Sequence, residues 1–170
     1  MSNEGLLTLG IAWRGVQAAL PNAEGKMEIR PLSPGMYRVE YEAARRLGLP
    51  VSVHLNSTKF DKDHIIALQK LGYVFNGLQV IHAINTSPEE MDILAAAGAS
   101  VSISPTSEMR IGFGLAKVAE FLDHKVNLAL SVDTTPLTGK CRHVRDHEAS
   151  AESRERPQRE GIQAARAQGC

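Results

Sequence analysis

Cysteine is nearly missing from this sequence. Its only two, Cys141 and Cys170, lie far along the chain. A disulfide framework is therefore excluded for the first 140 residues, which fits a reducing, cytoplasmic setting. An excess charge of either sign is missing too. Nineteen Lys and Arg balance nineteen Asp and Glu, so there is no electrostatic footprint for a nucleic-acid partner. No apolar run approaches the ~20 residues of a membrane span, so no membrane partner is expected. Length is also short. At 170 residues the chain suits one domain with a real core, but falls below the roughly 250 typical of a complete eight-stranded α/β barrel.

What is present is a set of short apolar runs that each deliver a chemically useful side chain. Pro50-Val-Ser-Val-His54 and Leu78-Gln-Val-Ile-His82 end on histidine, and Leu128-Ala-Leu-Ser-Val-Asp133 ends on aspartate. Parallel α/β barrels place metal-binding and catalytic residues at the carboxyl ends of their strands. His82 follows His54 by 28 positions, close to the roughly 30 residues of a strand–helix–strand unit. Asp133 lies 51 positions further on, with the run Ser100-Val-Ser-Ile-Ser-Pro105 between.

Helical patterns separate these runs. Pro34 to Leu47 places Tyr37, Tyr41, Ala44 and Leu47 on one face, with Gly48 as its C-cap. Asp61 to Leu71 has Ile65, Leu68 and Leu71 at helical spacing. Thr86 to Gly98 is the clearest helix: Ser87 as N-cap, Pro88 at the first position, Glu90 completing a capping box and Gly98 as the stop. A further helix is expected over Ala116 to His124. A first strand is expected over Leu6 to Trp13, and Pro21 to Pro34 reads as a loop. No hairpin signal is seen, so the sheet should be wholly parallel. From Lys140 onward only Val144 and Ile162 are large aliphatics, too few to offset the entropy of ordering the segment.

With these pieces in order, the body of the chain resembles the metal-dependent amidohydrolase superfamily, in its deaminase and chlorohydrolase branch. Val-Ser-Val-His54 matches the fifth barrel strand and Val-Ile-His82-Ala the sixth. Val-Ser-Ile-Ser-Pro105-Thr-Ser-Glu-Met-Arg-Ile-Gly112 matches the seventh strand and its loop, and Leu-Ser-Val-Asp133-Thr-Thr the eighth. The resemblance covers nearly all of residues 1–139. It implies a partial TIM (β/α) barrel, roughly strands four to eight, followed by a poorly structured tail over residues 140–170.

The resemblance also implies roles. His54, His82 and Asp133 would be metal ligands for a divalent ion, zinc first and iron second. Asp133 and His82 would be catalytic, Asp133 as general base and His82 in orienting substrate. A bound metal lowers the pKa of its water to about 7 and makes hydroxide available, here to attack a carbon bearing an amine, halide or amide. Glu108, Arg110, Asn56 and Ser57 would contact a small-molecule substrate. Two departures accompany the likeness. The family's first-strand His-x-His pair has no counterpart among His54, His64, His82, His124, His143 and His147. The glutamate that many ring deaminases carry three residues after the fifth-strand histidine is Ser57 here.

The tail has a reading of its own. In one choice of codons for Lys140 to Glu148, removal of a single base yields Asn-Ala-Asp-Met-Phe-Ala-Ile-Met. That is the continuation the family pattern leads one to expect after Asp133-Thr-Thr-x-Leu-x-Gly. The tail is accordingly expected to be disordered or frameshift-derived.

Plainer readings stand beside these. A lone histidine at a strand end is commonly a core residue satisfied by backbone, and His64 and His124 are expected to be solvated. His143-Val-Arg-Asp-His147 has the i, i+4 spacing of a zinc helix but lacks the glutamate after the first histidine. Glu108 and Arg110 could instead form a surface pair, Gly112-Phe-Gly114 a simple turn, and Trp13 a core residue rather than a pocket wall. The enzymatic reading competes with an inactive half-barrel that binds a partner or ligand, and with an intact small α/β binding protein. Exposed half-barrel edges would favour a homo-oligomer.

Overall fold

In a computed structural model of the chain, residues 8–58 and 63–134 are described. The tail expected after Gly139, its boundary, the pair His143 and His147, and the start of the first expected strand lie outside them. Five strands form one parallel sheet: β1 (Ile11–Trp13), β4 (Val51–Leu55), β5 (Leu78–His82), β6 (Ser100–Ile103) and β7 (Asn127–Leu130), adjacent in that order. Between them run α1 (Pro34–Arg46), α2 (His64–Lys70), α3 (Pro88–Ala97), α4 (Pro105–Arg110) and α5 (Val118–Asp123). This is a partial (β/α) barrel.

The expectation of a wholly parallel sheet fails at one place. β2 (Gln17–Pro21) and β3 (Met27–Pro31) form a separate antiparallel hairpin, partly where a loop was expected. Its strands carry alanine, charge and terminal prolines rather than alternating β-branched residues, which hides them from a periodicity argument. The turn holds it together. Asn22 Oδ1 accepts from the backbone N–H groups of Glu24 and Lys26, each at 2.9 Å, and Gly25 supplies φ +78°. Such Asx chemistry closes a five-residue connection without a two-residue turn signal.

The helices follow local sequence closely. In α3 the Ser87 hydroxyl accepts from Glu90 N, the Glu90 carboxylate accepts from Ser87 N, and Gly98 closes the helix at φ +66°. α1 begins on Pro34, ends with Arg45 and Arg46 against its carboxyl-end dipole, and is capped by Leu47, with Gly48 next at φ +64°. α4 was not expected, although it starts with the same Ser-Pro pair as α1 and α3.

Pleating divides the sheet into two unlike faces. Val51, Val53 and Leu55 alternate with Ser52 and His54, and the first set is buried against the helices with Leu78, Val80, Val101 and Ile103. All three tyrosines and the single tryptophan gather at one end of this core. Trp13 is 5.1 Å from Tyr41 and 5.6 Å from Tyr73, and its Nε1–H donates to the Tyr37 carbonyl at 3.1 Å. Each aromatic contact adds roughly 0.5–1.5 kcal/mol beyond area burial. Trp13 is thus core, not pocket wall.

The opposite face remains open. Register aligns Ala12, Ser52, Gln79, Ser100 and Asn127 in one row, and His54, Ile81, Ser102 and Ala129 in the next. A cavity of about 500 Å³ lies at the amino-end row, lined by Gly10, Pro50, Ser52, Gly77, Gln79 and neighbours. The histidines lie at the other end, where the strands finish.

Candidate active site

Strand ends concentrate backbone strain. Asn56, His82, Ala83 and Asp133 adopt φ values of +51°, +72°, +55° and +59°. Asn56 directly follows β4, His82 and Ala83 terminate β5, and Asp133 lies three residues past β7. Non-glycine residues in this region cost on the order of 1–3 kcal/mol each and persist where surrounding structure enforces them.

The strain at His82 has a geometric effect. Strict alternation after Leu78 and Val80 would point His82 toward the helices, away from His54. The left-handed backbone at His82 breaks that alternation, and its ring centroid lies 5.3 Å from that of His54. Phe113 packs edge-on against His82 at 5.2 Å. His82 is buried while His54 is exposed. Partial desolvation, followed by the neighbouring His82, pushes the His54 imidazole below its ordinary value, and the Asp133 carboxylate pulls the other way. Asp133 itself is exposed, its backbone N–H donating to Ser131 Oγ at 3.1 Å.

Two buried carboxylates support this rim. Glu108, fully buried, accepts from Ser104 N at 2.9 Å through Oε1, which lies 3.1 Å from His82 Nδ1. Its Oε2 has no hydrogen-bond partner among the described residues. The alternative of a surface pair with Arg110 is thereby corrected: Glu108 faces inward from α4, and Arg110 stays exposed at the helix end. Glu90 is also fully buried. Its Oε1 accepts from Ile65 N at 3.0 Å, and its Oε2 from Asn56 Nδ2 at 2.9 Å and Ser87 N at 3.0 Å. One carboxylate thus ties the end of β4 to the starts of α2 and α3. In the sequence Glu90 reads only as a capping-box residue, because the capping pattern carries no sign of the contacts from Asn56 and Ile65.

Of the expected substrate contacts, Asn56 and Glu108 offer no surface to solvent, Ser57 is buried to 8 % exposure, and Arg110 is exposed. His64, expected to be solvated, is buried at 6 % exposure. His124 is half-buried at the end of α5, its Nδ1 2.7 Å from Asp92 Oδ1.

His54, His82 and Asp133 match a zinc site in donor chemistry. They do not complete one: no group of three His, Cys, Asp or Glu able to hold an ion occurs among the described residues. His82 offers only Nε2 to a ligand, because its Nδ1 faces Glu108.

A parallel sheet with helices on one face, and histidines and an aspartate at its carboxyl ends, is part of a (β/α) barrel. Comparison with known proteins takes this further. No family model matches the chain. A 5-methylthioadenosine/S-adenosylhomocysteine deaminase of Archaeoglobus fulgidus is 30 % identical over 110 residues, 59 % of this chain and 26 % of the relative. Its counterpart in Clostridium tetani is 27 % identical over 136 residues, 71 % and 31 % of the two chains. The fold superposes on a zinc-bound adenosine deaminase from Xanthomonas campestris with a TM-score of 0.68 at 18 % identity, over 76 % of this chain and 31 % of that one. A zinc-complexed atrazine chlorohydrolase from Arthrobacter aurescens gives 0.54 at 18 % identity, over 64 % and 26 %.

The chain resembles the amidohydrolase superfamily, to which these deaminase and chlorohydrolase relatives belong. It spans about a quarter to a third of the length of these relatives. No helix among the described residues is long and apolar enough to cross a membrane.

Proposed function

We propose that this chain carries the histidine–aspartate rim of a hydrolase that uses water to displace an amine, or a comparable leaving group, from a small molecule. The observation that carries the reading is the His54–His82 pair, held 5.3 Å apart at the ends of adjacent strands. Sequence relatives named as deaminases of adenine-containing nucleosides point to that substrate class. A divalent metal, zinc before iron, is the ion that two imidazoles and a carboxylate would receive, and when bound it would supply an acidified water.

The chain's own residues then divide the work. His54 keeps a neutral imidazole at physiological pH, as a ligand requires, because burial and His82 disfavour its proton. Asp133 is exposed and acceptor-only, suited to take a proton from an attacking water. His82 presents Nε2 as ligand or as a contact to substrate. Arg110 and Ser57 are the substrate-side polar groups, while Asn56 and Glu108 act from beneath the rim.

The test is ammonia release from 5-methylthioadenosine by the zinc-supplemented chain. Turnover abolished by Asp133→Asn and His54→Ala supports the reading. Turnover that survives both substitutions contradicts it.

A second reading rests on a different observation. The described donors do not complete a metal site, and among the described residues β1 and β7 each lack a neighbour on one side. The alternative is a non-catalytic half-barrel that pairs through its edges with a second copy or another chain. A zinc-free dimer without turnover would favour it.

A further inference from the structure

We infer that Glu108 is a positioning residue that locks His82 in the Nδ1–H tautomer and leaves the Nε2 lone pair as its only free nitrogen function. Ser104 lies four residues before Glu108, at the start of α4. Its backbone N–H can only donate, and it points at Glu108 Oε1 from 2.9 Å. Oε1 is therefore an acceptor, and the same oxygen lies 3.1 Å from His82 Nδ1. Two acceptors facing each other at that distance would repel, so Nδ1 carries the hydrogen. The conclusion holds for Glu108 as a carboxylate, whose oxygens only accept; its other oxygen, Oε2, is buried and without a partner among the described residues.

Three features hold the pair rigid. Glu108 is fully buried within α4. His82 sits in a left-handed backbone conformation, and Phe113 packs edge-on against its ring. A histidine whose second nitrogen donates to a carboxylate has a fixed tautomer and a fixed ring plane. Glu108 thus acts through His82 rather than on a ligand directly. The tautomer assignment is independent of the hydrolase reading; only its effect on metal affinity rests on that reading.

The test is long-range proton–nitrogen correlation on the full chain labelled with 15N-histidine, with the His82 signals assigned through His82→Gln. A protonated Nδ1 and a bare Nε2 in the wild-type chain are expected. Glu108→Gln should keep this pattern, because its amide oxygen can still accept from Ser104 N–H and Nδ1–H. Glu108→Leu, which keeps bulk and removes the acceptor, should release His82 to a mixture of tautomers. A wild-type His82 protonated at Nε2 overturns the proposal whether or not the leucine variant folds. So does a folded leucine variant whose Nδ1–H pattern is unchanged. Zinc titration of the same samples should show roughly ten- to hundredfold weaker binding in the leucine variant. A wild-type chain that has the Nδ1–H tautomer but takes up no zinc contradicts the hydrolase reading and supports the tautomer assignment.

Discussion

Asn56 Nδ2 donates to Glu90 Oε2 at 2.9 Å across 34 residues of sequence. This bond joins the strained end of β4, two residues from His54, to the first turn of α3. Glu90 also receives Ile65 N and Ser87 N, so three donors from three segments converge on one buried carboxylate. Hydrogen bonds to a charged group are worth roughly 1.5–3 kcal/mol each, and leaving their donors unsatisfied adds a desolvation penalty.

Glu90→Ala should therefore destabilise the chain by on the order of 3 kcal/mol or more. Equilibrium denaturation in urea checks this, and a loss below about 1 kcal/mol would show that the three donors find other partners.

His54 should make folding sensitive to mild acid. Its folded pKa lies below the ordinary 6.5, so above that value it is neutral in both states and contributes nothing. As pH falls through 6.5 the unfolded chain takes up a proton that the folded chain resists, and stability is lost until the folded pKa is passed. Stability measured from pH 8 to pH 5 should fall less steeply in His54→Gln than in wild type. Parallel profiles would contradict the assignment.

Trp13 is the only tryptophan and is 3 % exposed. Its fluorescence should be blue-shifted in the folded chain and move to the red on unfolding. Trp13→Ala should cost about 3–5 kcal/mol, read from the urea midpoint by circular dichroism, since it removes the centre of the tyrosine cluster and the bond to the Tyr37 carbonyl.

Much of this architecture is legible in the sequence, for identifiable reasons. Leu78–His82 occupies the residues expected of it, because a five-residue apolar run after a glycine leaves little freedom of register. The third helix is legible because Ser87, Pro88, Glu90 and Gly98 act on backbone atoms within a few residues of themselves. The hairpin of β2 and β3 is not, because its pairing depends on one asparagine side chain capturing two backbone N–H groups. The site divides the same way. Strand-end positions for His54 and His82 follow from the pattern of runs. That their rings meet does not, because it depends on a positive φ at His82 against the pleat. The inward turn of Glu108 also escapes, since a short helix after Ser104 and Pro105 reads as a loop.

On the proposed function, His54 and His82 form one working site. Zinc titration of the wild-type chain beside His54→Ala and His82→Ala tests it most directly. Zinc bound by the wild-type chain should then be held at least about tenfold more weakly in each variant. A wild-type chain that binds no zinc, or variants that bind it as tightly as wild type, would contradict it.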